Sequence, residues 1–280
     1  MARKSTPEAN PSATRNGASV VRYAIGTAVF VIGVGALAFT AARVDQFLVT
    51  DSRLMLPALP DGATSGPNFR VYGLNHAPEE KVIDVFARDF QRSLYLCPIA
   101  DRRLKLMSID WVKNASVSRV WPNSLVIRIE ERTPVAFAHL AGSSRIALID
   151  VDGVLMAPNR NIADFNVPVL TGVSSKDTLA DRRERVSRYL KLKNDLGPAM
   201  DQISEVDVSD VENLAVTQQF GDHAYTLMLG NKDYLKRLTN FTANYQEIRK
   251  KMPQEASQLD LRMPDRVIFV PVSGGKPNGK

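Results

Sequence analysis

Two aspartates one residue apart, Asp150 and Asp152, come nearest to a catalytic pattern in this 280-residue chain. Phosphoryl-transfer enzymes use such pairs to hold a divalent metal, but they also need further carboxylates and a phosphate-binding loop. Neither accompanies this pair. Gly153 follows directly, and Asp-Gly between two short apolar runs is typical of a hairpin turn. We therefore expect a turn here and no phosphoryl transfer.

The other residue types that support catalysis or metal binding are also isolated. Ser143 and Ser144 lack the Gly-x-Ser-x-Gly context of a hydrolase nucleophile. The single cysteine, Cys97, forms no internal disulfide or thiolate cluster, and its apolar surroundings predict a small buried side chain. Three histidines lie far apart without metal-ligand spacing: His76, His139 and His223. We expect no enzyme, no cofactor, no metal and no small-molecule substrate.

Two features predict protein binding. A basic helix is expected from about 176 to 196, with Leu179, Val186 and Leu190 buried. Its residues Arg183 and Arg188 fit either a solvated helix face or a strip that binds acidic side chains of a partner. The second feature is a strand at 266–270, flanked by Pro264 and Pro271, as is typical of an edge strand.

Only ten residues follow this strand, so we expect no later strand to cover its outer edge. An exposed edge binds an incoming strand through backbone hydrogen bonds, and nearby arginines then set its register. The alternative is that the apolar residues of the strand only fill the core. The predicted partner site comprises Arg262, Met263, Arg266, Val267, Ile268, Phe269 and Val270, with Arg183 and Arg188.

The element that positions the whole chain is an uncharged run from Tyr23 to Ala42, flanked by Arg22 and Arg43. As a helix it spans roughly 30 Å, the thickness of a bilayer core. A cleaved signal peptide is the competing interpretation, but its apolar region is usually about 7–15 residues long. Lys and Arg are commoner before the run than after it, which predicts a cytoplasmic N-terminus.

We divide the chain into a disordered cytoplasmic tail (1–22), a transmembrane helix (23–42), a linker (43–68), two domains (69–133 and 134–272) and a flexible tail (273–280).

The chain has 36 basic and 30 acidic residues, a net charge of +6. These numbers are too nearly equal to indicate a nucleic-acid interface.

The first domain is predicted to have the order strand, helix, helix, strand, strand. Its elements are a strand at 69–74, a helix after Pro78 with Val82, Ile83, Phe86 and Phe90 buried, a helix at 99–108 with Leu104, Met107 and Ile109 inward, and strands at 112–119 and 125–131. Trp121 is expected to pack at the hairpin tip rather than to bind a partner. Glu130, Glu131 and Arg132 are expected to form a solvated strand end.

The second domain is predicted to be mainly antiparallel with two helices. Besides the basic helix, a helix carries one apolar face (Tyr234, Leu238, Phe241, Tyr245 and Ile248). Strands are expected at 146–150, 154–156, 203–208, 214–219, 225–229, 258–262 and 266–270, and an extended segment at 167–172. The fold class is therefore α+β.

The hairpin residues Arg119, Trp121 and Pro122, followed by Glu131, Arg132, Pro134 and Ala136, resemble the closing hairpin of a POTRA domain. More narrowly, the pattern resembles the bacterial FtsQ/DivIB division family. The Leu148–Gly153 hairpin and the Asp260–Arg262 segment resemble the second domain of that family.

The resemblance implies a non-enzymatic, single-pass scaffold of the divisome, with its bulk outside the cytoplasm at the septum of the inner membrane. Such proteins link early division proteins to septal peptidoglycan synthesis. It also implies FtsB- and FtsL-type partners, the former at the last strands, and other divisome proteins at the POTRA domain. The alternatives are a POTRA-containing component of protein export or envelope assembly and a membrane-anchored hydrolase.

Overall fold

The computed structural model describes residues 16–60, 62–142, 144–158, 165–253, 256–263 and 266–270. The predicted tail at 273–280, the first fifteen residues of the predicted N-terminal tail, and Ser143, Pro264 and Pro271 lie outside these residues. Two compact units make up the chain. The first contains the described residues up to Arg70 together with Phe86–Ile99 and Ser118–Val126, and the second contains the others.

The apolar run lies on one long helix, α1 (Asn16–Thr50). By length and composition Val21–Thr50 qualifies as a membrane span, the one such helix among the described residues. The helix exceeds the predicted span at both ends, and residues 16–22 are helical rather than disordered. Extending an existing helix costs far less than nucleating a new one, and residues 16–22 contain no proline to stop it. Beyond α1, Asp51 caps a 3₁₀ turn at Ser52–Leu54 by accepting the Arg53 N–H at 2.7 Å.

A small α+β domain follows, with the predicted order of elements. Its elements are β1 (Phe69–Tyr72), α2 (Glu79–Asp84), α3 (Ile99–Met107), β2 (Val112–Val120) and β3 (Ser124–Glu131). The strands form a three-stranded sheet in the order β1-β3-β2. Gly73 follows β1 with a φ of +79°, and a Cβ atom added there would lie only 2.1 Å from the Ile129 carbonyl oxygen, so no other residue fits.

The predicted buried faces of the two short helices are partly wrong. Helix α2 ends at Asp84, so Phe86 and Phe90 lie in the turn after it, where both rings contact Phe69 at 5.3 and 5.2 Å. Helix α3 buries Arg102 and Leu106, one turn apart, whereas the predicted Leu104 is 63% exposed and Met107 is also exposed. Ile109 is buried as predicted but lies beyond the end of α3. Its burial therefore gives no information about which face of the helix points inward.

The larger domain is built on a nine-stranded sheet, ordered β12-β11-β10-β9-β8-β7-β4-β5-β6. Five of its eight neighbouring pairs are antiparallel, which agrees with the predicted fold class. The strands are β4 (Pro134–Leu140), β5 (Ile146–Asp150), β6 (Leu155–Met156), β7 (Val169–Val173), β8 (Ile203–Asp207), β9 (Leu214–Phe220), β10 (His223–Gly230), β11 (Gln258–Asp260) and β12 (Ile268–Val270).

Two helices, α4 (Leu179–Leu196) and α5 (Tyr234–Lys251), contribute to the core of this sheet. Helix α4 buries Val186, Tyr189, Leu192 and Leu196, and the Tyr189 hydroxyl donates to the Val135 carbonyl at 3.1 Å. Burial raises the pKa of Tyr189 to about 12. The predicted burial of Leu179 is wrong: it is 43% exposed, because it is the first residue after the Thr178 cap, before the helix reaches the core.

Candidate functional site

Strand β12 forms one border of the nine-stranded sheet. It pairs antiparallel with β11, with Leu259 opposite Phe269 and Asp260 opposite Ile268. Among the described residues no strand pairs with its outer edge. Val267 and Phe269 pack against the core, while Ile268 is 43% exposed. The alternating side chains therefore anchor the strand without covering its outer backbone edge.

A groove lies between helix α5 and the chain that leads into β12. Three cations line it, Arg237, Lys251 and Arg266, and no acidic side chain is found among the described residues that line it. Its apolar lining consists of Phe241, Ile248, Leu261, Met263, Val267 and Phe269. The groove thus suits an extended segment that carries apolar side chains beside carboxylates. Four of the residues that the sequence predicted for a partner site line it: Met263, Arg266, Val267 and Phe269.

Arg262 is bound within the chain rather than directed to the groove. Its Nη2 lies 2.6 Å from Asp260 Oδ2, its Nε lies 2.9 Å from Asp260 Oδ1, and its Nη1 donates to Asn213 Oδ1 at 2.8 Å. The hydrogen bond from Arg262 lowers the pKa of Asp260 and outweighs the opposite effect of burial. This guanidinium therefore already neutralises a buried carboxylate, while its side chain is 40% exposed, and its contact with a partner stays a prediction.

The basic residues of α4 divide into two groups. Arg182 and Arg185 hold the start of the helix: Arg182 donates to the carbonyls of Gly153 at 2.9 Å and Asp177 at 2.7 Å, and Arg185 pairs with the Asp177 carboxylate. Arg183 is exposed and Arg188 partly so, and together they line a shallow depression on the outer face of α4.

A short loop connects this helix face with the Arg262 contact. Arg188 Nη2 lies 3.3 Å from Glu212 Oε1, and the next residue, Asn213, accepts from Arg262. The structure therefore brings Arg188 and Arg262 to either side of one loop. Arg183 and Arg188 line a different depression from the groove beside β12, so the nine predicted residues form a broad region rather than one pocket.

Glu131 is a structural residue that the sequence did not reveal. Its side chain is 8% exposed, and its carboxylate accepts the backbone N–H groups of Asn75, His76 and Ala77 at 2.8–3.0 Å, with His76 Nδ1 at 3.1 Å. Burial raises the pKa of Glu131, but these hydrogen bonds outweigh it and hold the pKa below its ordinary value of 4.5. Glu131 is therefore not part of a solvated strand end.

Arg132 is also mostly buried, and it contacts the hairpin that carries the aspartate pair. Its Nη1 lies 2.6 Å from Asp150 Oδ2 and 3.4 Å from Asp152 Oδ2. Asp150 also accepts the N–H groups of Asp152 at 3.0 Å and Val154 at 2.8 Å, as a turn aspartate does. The predicted turn is confirmed, and its buried carboxylate is neutralised by Arg132 from across the β3–β4 connection.

Trp111 makes a second contact in the same region. The ring is 1% exposed, its Nε1 donates to the Ala157 carbonyl at 2.8 Å, and it stacks on His76 at 5.4 Å. By contrast, Trp121 is 52% exposed, so the expected packing role at the hairpin tip is wrong.

The described residues contain no cluster of three or more His, Cys, Asp or Glu side chains that is able to hold a metal ion. Cys97 is 2% exposed, as predicted for a small buried side chain.

Fold and site together define a class: proteins with an apolar N-terminal helix, a POTRA-like domain and a larger sheet in which β12 is the border strand among the described residues. Residues 67–132 match the family described as POTRA domain, FtsQ-type, and residues 138–262 match Cell division protein FtsQ/DivIB, C-terminal. The chain belongs to the FtsQ/DivIB family of bacterial cell division proteins. This family is non-enzymatic and resides in the inner membrane, in line with the expectations above.

Individual relatives agree with this membership. The chain is 31% identical over 214 residues to Cell division protein FtsQ of Koribacter versatilis, which covers 75% of this chain and 61% of the relative. It is 29% identical over 203 residues to Cell division protein FtsQ of Novosphingobium aromaticivorans, and the match covers 72% of this chain and 60% of the relative. It is 32% identical over 180 residues to that of Rhodothermus marinus, and the match covers 61% of this chain and 63% of the relative. The chain therefore spans about three fifths of the length of the curated relatives that it matches.

Proposed function

We propose that this chain is a single-span scaffold of the divisome that binds a smaller bitopic partner of the FtsB type, and through it an FtsL-type protein. The observation that carries the proposal is that, within the part of the chain that the structure describes, no strand covers the outer edge of β12 and the groove beside it is lined by three cations without an acidic side chain. An edge strand offers backbone donors and acceptors, and an incoming strand pairs with them irrespective of its side chains. The groove then selects strands with apolar and acidic residues.

The expected contribution of each group follows from its surroundings. Backbone pairing along Ile268–Val270 supplies affinity, and apolar contacts in the groove supply specificity. Arg266 and Lys251 are exposed at the groove and act on register and association rate. Arg183 and Arg188 reach acidic residues that flank the bound strand on the α4 side.

The POTRA domain is the proposed recruitment module, since both β1 and β2 are edge strands of the small sheet. Through them the chain contacts other divisome proteins near the membrane, and it thereby links early division proteins to septal peptidoglycan synthesis.

The proposal is tested with the full chain and the extracytoplasmic segment of the FtsB-type protein of the same organism. Arg266→Glu is expected to raise Kd at least tenfold, equivalent to about 1.4 kcal/mol. The control Lys81→Glu makes the same charge change on α2, away from the groove, and should leave Kd within about twofold.

A second pair of variants separates backbone from side chain at β12. Ile268→Pro removes a backbone donor and is expected to abolish binding, whereas Ile268→Ala alters only an exposed side chain and should retain most of it. Unchanged Kd for Arg266→Glu and for a folded Ile268→Pro chain would locate the partner elsewhere.

A further inference from the structure

The end of α1 is attached to a turn of the first unit. The uncharged run ends at Ala42, and the helix continues to Thr50, about 12 Å beyond Ala42 at 1.5 Å per residue. A 3₁₀ turn at Leu94–Leu96 packs against this extension. Ser93, 3% exposed, donates its hydroxyl to the Leu48 carbonyl at 2.5 Å, and Leu94 is buried.

This attachment fixes the height of Tyr95 along the helix. Tyr95 lines one depression of α1 whose other residues lie on both sides of Ala42, where the uncharged run ends: Leu37, Thr40, Ala41, Val44, Asp45 and Leu48. The phenol ring is therefore level with the end of the uncharged run. At the same level, the Arg43 guanidinium lies 5.1 Å from the centre of the Phe39 ring.

The side chains at this level are apolar and exposed. Tyr95 is 41% exposed and Leu96 is 42% exposed, although the residues on either side of them, Leu94 and Cys97, are buried. The Cys97 carbonyl in turn accepts a hydrogen bond from Arg119. The two residues after Arg119 are Val120 and Trp121, and both are also exposed. Tyrosine and tryptophan are enriched at membrane interfaces, because their rings combine an apolar body with a polar tip.

We propose that Tyr95 and Leu96 form a lipid-binding surface that rests in the interfacial layer of the outer face of the membrane. The occupant is the glycerol and headgroup layer, since these side chains are held beside a helix at the depth where that layer surrounds it. The surface fixes the rotation of the first unit, which includes α1, about the membrane normal, a role separate from partner binding at β12.

The test uses the full chain in lipid nanodiscs. In a Cys97→Ala background, Leu96→Cys and the control Leu235→Cys each carry an environment-sensitive fluorophore. Leu235 on α5 is 44% exposed, which matches Leu96. Lipids with a nitroxide near the headgroup are expected to quench the label at position 96 by about half and to leave that at position 235 nearly unchanged.

A second variant, Leu96→Trp, avoids the Cys97 substitution. Its tryptophan fluorescence is measured with brominated lipids as the quencher, and the native chain, which has Trp111 and Trp121 alone, gives the background signal. Recovery of each chain in the nanodisc fraction shows that α1 is inserted, so the result bears on the surface itself. If neither quencher lowers the fluorescence of the label at position 96, the proposal is overturned, whether that position contacts water or another protein helix.

Discussion

Glu131 illustrates how one carboxylate organises a turn that is distant in sequence. It receives three consecutive backbone N–H groups at Asn75, His76 and Ala77. A hydrogen bond to a charged group contributes about 1.5–3 kcal/mol to folding stability. We expect Glu131→Gln, which keeps the shape, to lower the free energy of unfolding at pH 7 by about that amount in denaturant titrations.

The pH dependence follows from the direction of the pKa. Since folding lowers the pKa of Glu131 below 4.5, its stabilisation is present above that pH and is lost as the pH falls through the folded value. The native chain should therefore lose more stability than the Glu131→Gln variant between about pH 5 and pH 3. If the free energy of unfolding fell equally for the two chains over this pH range, this account would be contradicted.

Arg262 and Arg266 are separated by three residues but differ in role. Replacing Arg262 leaves the Asp260 carboxylate, 11% exposed, without its ion-pair partner. We expect Arg262→Met to cost about 1–3 kcal/mol of folding stability, and the matched Arg266→Met to cost less than about 0.5 kcal/mol. Chemical denaturation of both variants measures the difference, and equal costs would show that the Asp260 contact is unimportant.

These residues also show where sequence reasoning ends. The spacing of apolar residues identified the strands and the groove residues Val267 and Phe269, because period and burial are local properties. The partners of Glu131, Arg132 and Arg262 are set by tertiary contacts with residues as far as 56 positions away in the sequence. A charged pair at a strand end is usually solvated, and no local pattern in the sequence signals the exception.

At the level of elements, β4 is the strand that the sequence did not predict. Its inward residues include Ala136 and Ala138, both fully buried, which give a weak apolar alternation. Small side chains are found there because β4 is an inner strand, paired on both sides with β5 and β7, and it lies beside the buried Tyr189 of α4. Close packing rather than hydrophobicity selects alanine at these positions.

Helix α4 depends on its first turn to present Arg183 and Arg188. Thr178 and Asp181 form a capping box, in which each side chain accepts the backbone N–H of the other residue. We expect Thr178→Ala to cost about 0.5–2 kcal/mol of stability and to weaken partner binding only slightly. Ser187→Ala, within the same helix, removes a hydroxyl without removing a cap and should be neutral or stabilising. Thermal melting distinguishes the two, and equal shifts would exclude a capping role.

At the scale of the whole molecule, α1 is the helix on which the expected topology depends. The excess of Lys and Arg before the run predicts a cytoplasmic N-terminus and a large extracytoplasmic part. A reporter fused after Lys280 should be active only outside the cytoplasm, and N-terminal sequencing should show that the membrane-bound protein retains the residues before Arg22. A mature protein that starts near Arg43 would instead indicate a cleaved signal peptide.

The salt bridge between Arg132 and Asp150 has a consequence for exchanging parts among relatives. Arg132 ends the POTRA-like segment, and Asp150 belongs to the sheet that follows it. A chimera that joins this sheet to another POTRA module keeps the buried Asp150 carboxylate but loses Arg132, which neutralises it. A transplanted POTRA module therefore has to supply an arginine at the position of Arg132 to neutralise Asp150.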